Sequence, residues 1–180
     1  MSMMTHPSDG DDIVINSENF VQNSYQVSLG ATDFQRVRNW MKAIGQDVPK
    51  NLTVPDADTI KLRIALIEEE LLELKEALDY VDPCDEYCVC GNCSSDASVD
   101  PTKVDIVEVA DALTDIIYVV QGMGATFGIN MDACFDEVQK SNDTKVVDGF
   151  KRPSDGKWMK GPSYVPPDLE TVLNNQKDME

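Results

Sequence analysis

Val104-Asp105-Ile106-Val107-Glu108-Val109-Ala110-Asp111-Ala112-Leu113-Thr114-Asp115-Ile116-Ile117-Tyr118-Val119-Val120 is the stretch from which the fold is read. Wound at about 100° per residue, its apolar side chains cover nearly the whole circumference, the pattern of a helix buried all round. Yet Glu108, Asp111 and Asp115, at spacings of three and four, share one narrow face, with Asp105 at its edge. These acids are expected to point inward with the rest.

A second long helix is expected over residues 58–81, stopped by Pro83. Ile60, Ile64, Ile67, Leu71, Leu74, Leu78 and Val81 recur at spacings of four and three, a sustained core stripe. Glu68, Lys75 and Glu76 fall on the outer side. Glu70 and Glu73 instead flank the stripe beside Leu66 and Ala77, and Glu69 lies just beyond them.

Two inward rows of carboxylates are costly, because each group loses hydration and repels its neighbours. Protonation of so many acids at neutral pH is a poor remedy. Neutralisation by Lys61, Arg63, Lys75 and Lys103 is too sparse. A hard divalent cation held by oxygen ligands is the economical answer, with Mg²⁺ expected and Mn²⁺ as its substitute; Glu70, Glu73, Glu108, Asp111 and Asp115 are its ligand candidates. The alternative is that both stripes face solvent in a groove between subunits.

The remaining chain is organised around these two helices. Residues 1–30 read as a loosely ordered arm, residues 31–146 as the all-α domain, and residues 147–180 as an extended C-terminal segment. A first helix is expected over residues 33–44, with Phe34, Val37, Trp40, Met41 and Ile44 at helical spacing and Gly45 as its stop. Asp100-Pro101 offers an N-cap and a first-turn proline for the acidic apolar helix, which should run to about Met123. Asn130 can cap a further helix over residues 131–141, and a short helical turn is expected over residues 168–173. A helix this apolar needs more partners than one chain supplies, so self-association into a helical bundle is expected.

With 15 basic and 33 acidic residues, the 180-residue chain carries −18. That balance argues against nucleic-acid polymers and anionic membrane surfaces as partners. The longest apolar run, residues 116–120, is far too short to span a membrane. Residues 140–160 run against the trend: Lys140, Lys145, Lys151, Arg152, Lys157 and Lys160 face Asp143, Asp148 and Asp155, a net +3. That suits an anion site or, equally, an ordinary solvated segment.

These residues resemble the all-α nucleoside triphosphate pyrophosphohydrolases, the MazG-like and phosphoribosyl-ATP pyrophosphohydrolase-like superfamily. Its signature, EExxE on one helix and ExxD on the next, reads here as Glu69-Glu70-Leu71-Leu72-Glu73 and Glu108-Val109-Ala110-Asp111. Further likeness lies in Asp111-Ala112-Leu113-Thr114-Asp115, in Ser141-Asn142-x-x-Lys145, and in Asp155-Gly156-Lys157 followed by Pro166-Pro167-Asp168-Leu169. It covers residues 33–173 in order.

The resemblance implies a four-helix core completed by dimerisation, or by dimers paired into tetramers. It also implies Mg²⁺-dependent cleavage of a nucleoside triphosphate (NTP or dNTP, dUTP included) to the monophosphate and pyrophosphate. Glu69 would then orient or deprotonate the attacking water. Asn142 and Lys145 would contact phosphates, assisted by Arg152 and Lys157, and Phe34 and Trp40 would offer stacking surfaces to the base. Within the same fold the second reading is phosphoribosyl-ATP hydrolysis. A third is a non-catalytic interaction protein using its acidic bundle and cysteine loop.

That loop, residues 84–99, departs from the family, whose link there is short. Cys84, Cys88, Cys90 and Cys93 can hold a structural zinc, although their spacings fit no standard finger, or form a reduced loop without metal. The opening residues lack the basic and apolar regions of a secretion signal, so the thiols are expected in a reducing cytoplasm. His6, the lone histidine, leaves no basis for a histidine triad or histidine–zinc centre.

Overall fold

A computed structural model describes residues 30–83 and 96–176. The protein is all-α. Its helices are α1 (Asp33–Ala43), α2 (Ala57–Ala77), α3 (Ile106–Thr126), α4 (Met131–Asp148) and α5 (Leu169–Asn175). The extended pairs among the described residues are two short antiparallel ladders, β1 (Tyr80–Val81) with β2 (Ser98–Val99) and β3 (Phe150–Lys151) with β4 (Trp158–Met159). The expected arm, His6 and the four loop cysteines lie outside the described residues. No helix among the described residues is long and apolar enough to cross a membrane.

α1 forms where the apolar spacing demands it. Phe34, Val37 and Met41 are buried and join Val48 and Ala125 in one core, with Met131 packed against it. Gly45, at a φ of +78°, supplies the left-handed turn that ends the helix. α2 begins at Asp56, whose Oδ1 accepts from the backbone amides of Asp58 (2.9 Å) and Thr59 (2.8 Å). Those bonds, the one from Thr59 first, hold the Asp56 carboxyl below its ordinary range. A depressed folded-state pKa stabilises the fold above the unfolded value and loses that contribution as pH falls through the folded one. Asp56→Ala is therefore expected to lower the urea midpoint at pH 7 and to shrink the difference between pH 7 and pH 3. An unchanged acid sensitivity would count against this cap.

α2 stops earlier than expected, at Ala77 rather than at Val81. Asp79 takes a positive φ of 48°, and the carbonyl of Ala77 accepts the amide of Asp105 at 3.0 Å. That bond ties the end of α2 to the start of α3. The expected cap at Asp100-Pro101 is corrected as well: Asp100 makes a turn with the Thr102 amide (3.0 Å), and Asp105 caps α3 through Val107 (2.9 Å).

α4 runs seven residues past the expected end at Ser141. The C-terminal segment is the reason, because it uses α4 as its floor. The Ser141 hydroxyl donates to the Val165 carbonyl (2.7 Å), the Val165 amide donates to Thr144 Oγ1 (2.9 Å), and Trp158 Nε1 donates to the Lys145 carbonyl (2.8 Å). Farther on, the Gln176 side-chain amide donates to the Gly128 carbonyl (2.7 Å) and accepts from the Asn130 amide (3.2 Å). The segment read as extended is thus a strap containing a hairpin and a helix.

The expectation that α3 is buried all round fails within the single chain. α3 packs on α1 and α2, yet Ile106 is 71% and Val107 70% exposed. The α2 stripe is likewise half covered, with Ile64 and Leu71 exposed. One chain has too few helices to enclose two of this length.

Candidate active site

α2 presents Glu69, Glu70 and Glu73, and α3 presents Glu108, Asp111 and Asp115. Glu70 is the point where the two sets meet. Burial raises its carboxyl above the ordinary range, and Glu73, Asp115, Glu69 and Asp111 raise it further. Its Oε2 atom is buried and has no hydrogen-bond partner. Glu73, Glu108 and Asp111 line an open groove of about 500 Å³ between the helices.

The acids do not form the buried row expected. Glu69, Glu73, Glu108 and Asp111 are exposed, and Glu70 and Asp115 are half-buried. They border a groove open to solvent, because the apolar flanks of α2 and α3 that would deepen it are themselves uncovered.

Among the described residues, none of the nearby cations forms an ion pair with these acids. Lys61 pairs with Asp58 (3.0 Å), Lys75 with Asp82 (2.7 Å), and Lys103 with Asp79 (3.3 Å). Arg63 donates to Gln46 Oε1 (2.8 Å). The repulsion at Glu70 is left standing. Glu70→Gln is accordingly expected to raise the melting temperature of the metal-free protein, by removing one desolvated like charge. A lowered melting temperature would show that Glu70 is held by a favourable contact instead.

The donor set is made only of carboxylate oxygens, and Glu70 Oε2 lacks a partner, which fits a hard divalent cation in chemistry. Among the described residues, however, no three Asp, Glu, His or Cys side chains converge closely enough to hold a metal ion. The side chains stand around the groove rather than closing on a point. Nothing in the described residues supports zinc, and the cysteines named for it lie outside them.

Asn142 and Lys145 are brought together at one turn of α4, where Lys145 Nζ donates to Asn142 Oδ1 at 2.5 Å. The strap adds Tyr164, whose ring lies 5.6 Å from Lys145 Nζ and 4.1 Å from Lys160 Nζ. Hydrogen bonding to Ser141, followed by the two lysines, holds the Tyr164 hydroxyl below its ordinary range. Arg152 is committed elsewhere, paired with Asp155 through two hydrogen bonds. The exposed Lys157 contributes its amide to the same Asp155 (3.1 Å). The basic segment therefore divides into a hairpin in which Asp155 neutralises Arg152 and a Lys145–Tyr164–Lys160 group.

The two aromatic candidates also part ways. Phe34 is 2% exposed, so its ring is spent on the core, with the Arg38 guanidinium 5.7 Å from its centroid. Trp40 is 41% exposed and meets Tyr118 edge to face at 5.7 Å.

Arg63 enters the sequence reading only as one of four cations too sparse to neutralise the acids. It is 8% exposed, and it lines a cavity of about 370 Å³ together with Gln46. Its face was detectable, since it lies seven residues before Glu70 and so on the same side of α2; its burial was not.

An all-α protein with acids of an EExxE helix and an ExxD helix meeting at one carboxylate defines a narrow class. The chain belongs to the phosphoribosyl-ATP pyrophosphohydrolase family, whose model matches residues 37–142, and thereby to the MazG-like all-α superfamily. It is also similar to an uncharacterized protein of Acanthamoeba polyphaga mimivirus, 32% identical over 108 residues, which cover 57% of this chain and 33% of that protein. The chain thus spans about a third of the length of that relative.

Proposed function

We propose that this protein is a pyrophosphohydrolase that cuts a nucleoside triphosphate between its α- and β-phosphates, releasing the monophosphate and pyrophosphate. The observation that carries the reading is the meeting of acids from α2 and α3 at the unpartnered Glu70. Glu70, Glu73, Glu108, Asp111 and Asp115 would hold Mg²⁺, with Mn²⁺ as a substitute, after their side chains swing inward across the groove. Bound there, the ion supplies neutralisation of charge on the phosphate oxygens. Glu69, exposed beside Glu70, orients a water and accepts its proton at the carboxylate. Asn142 and Lys145 bind phosphate oxygens, and Arg152 and Lys157 are assigned the outer edge of that contact. Trp40 is the aromatic surface open to a ligand.

The uncovered faces of α2 and α3 support self-association, with a second copy covering Ile106, Val107 and Leu113. A reducing cytoplasm remains the expected compartment. The family match favours one second reading, in which the substrate is phosphoribosyl-ATP. Pyrophosphate release from a panel of NTPs, dNTPs and phosphoribosyl-ATP, with and without Mg²⁺, separates the readings. We expect Mg²⁺-dependent release from at least one triphosphate; turnover of phosphoribosyl-ATP alone would transfer the assignment to it, and no turnover at all would leave a binding protein.

A further inference from the structure

We propose that the cavity beside the start of α2 is a base-recognition subsite, in which Arg63 and Gln46 select nucleobases bearing a carbonyl where adenine and cytosine bear an amino group. This rests on the triphosphate reading above for where the phosphates lie.

The starting point is a buried cation without an anion. Arg63 is 8% exposed, yet among the described residues no carboxylate is within ion-pairing distance of it. It donates to Gln46 Oε1, at 2.8 Å, and its Nε is buried without a partner. A guanidinium taken out of water in this way is costly unless acceptors meet it. The carbonyl of one neutral side chain is a meagre set for five donors.

The chemistry of the cavity follows from that pair. A guanidinium only donates, so Gln46 must turn its oxygen toward Arg63, and its amide nitrogen is left as a second donor. Two other polar groups in the wall are already engaged. Asp56 accepts from the Asp58 and Thr59 amides and from Thr59 Oγ1 (2.9 Å), and the Thr126 hydroxyl donates to the Gly122 carbonyl (2.8 Å). Asp47 is exposed at the mouth, and Pro49, Pro55 and Leu62 add apolar wall. The result is a donor-rich edge with apolar sides. A flat ring presenting a carbonyl oxygen satisfies it, whereas an exocyclic amino group sets donor against donor.

Size and position agree. A cavity of about 370 Å³ falls within the range of small-molecule sites. Arg63 precedes Glu70 by seven residues, so the two share a face of α2 with an axial rise of roughly 10.5 Å between them. A nucleotide with its phosphates at the carboxylates extends its base by that distance.

The test is calorimetric titration of the full chain, without divalent cation, with UMP, GMP, CMP and AMP. Monophosphates have no scissile anhydride bond, so the result is independent of hydrolysis. UMP and GMP are expected to bind at least about 10-fold more tightly than CMP and AMP, and Arg63→Met to erase that preference. Gln46→Leu, on a half-buried loop residue, should reduce it and guards against a misfolded arginine variant. Equal affinity for all four, no binding of any, or an undiminished preference in a folded Gln46→Leu variant would overturn the proposal. Nucleotide binding without turnover of any triphosphate would instead leave this subsite and remove the hydrolase reading.

Discussion

Replacing Glu73 or Asp111 with Ala is expected to lower Mg²⁺-dependent pyrophosphate release by about 10²–10³-fold while leaving helical content unchanged. Both side chains are exposed at the groove, and among the described residues no hydrogen bond or ion pair depends on them, so truncation removes little packing. On the proposed reading, their value lies in the negative charge with which they would hold a divalent cation beside the phosphates. The two losses should also fall well short of adding in the double variant, because residues that act on one centre fail together. Circular dichroism and an initial-rate assay on the same preparations separate a chemical defect from a folding one. Full activity in either single variant would remove that residue from the site, and full activity in both would remove the site itself.

Gly128→Ala is expected to be the most destabilising small substitution in the described chain, costing roughly 3 kcal/mol or more. That corresponds to a fall of roughly 6–12 °C in melting temperature for a chain of this size. Two causes combine. The residue has a φ of +66°, and an added Cβ would overlap the backbone carbonyl of Asn51. The loop over residues 49–53 would have to lift from the α3–α4 turn, losing the bond from the Thr53 amide to the Phe127 carbonyl (3.0 Å). Gly45 is the internal control: its φ is +78°, but a Cβ there meets nothing within 4 Å. Gly45→Ala should cost about 1 kcal/mol, from the backbone alone. Equal urea midpoints for the two variants would show that the loop yields freely. The loop also carries Pro49 and Thr53 into the cavity lined by Arg63, so Gly128→Ala should weaken nucleotide binding as well.

What could be read from residues alone was whatever depended on local pattern. α1 follows its apolar spacing to within one residue, Asn130 caps α4 through its own side chain as expected, and the short helix expected from residue 168 forms as α5 behind an Asp168 cap. The errors occur where a distant segment decides. Asp100-Pro101 has the form of a cap, but Thr102 takes the Asp100 side chain into a turn and Asp105 caps instead. Ser141-Asn142-Asp143-Thr144 is poor helix-forming sequence, yet it stays helical because Val165 bonds to both Ser141 and Thr144.

The acids on α2 and α3 were legible as a shared face, since helical periodicity fixes direction. Their burial was not, because it depends on what lies opposite. The enclosure of Arg63 was illegible for the same reason. A charged residue one position from Leu62 gives no local sign that its guanidinium will be enclosed. Phe34 is the converse, since an aromatic at helical spacing serves the core and a ligand equally well on paper.

The small ladder between β1 and β2 has a wider consequence. Tyr80 pairs with Val99 and Val81 with Ser98, so the intervening chain leaves and re-enters at a single clasp. Below the clasp, the bond from Asp105 to Ala77 sets the spacing of α2 and α3 without reference to whatever is threaded above it. The linker is thereby released from any duty to measure distance. Such a joint lets an insertion be lengthened, shortened or exchanged at small entropic cost. The cysteine-bearing segment lies between these two strands in the sequence, so a change in its length is expected to leave the dimensions of the acid groove unaltered.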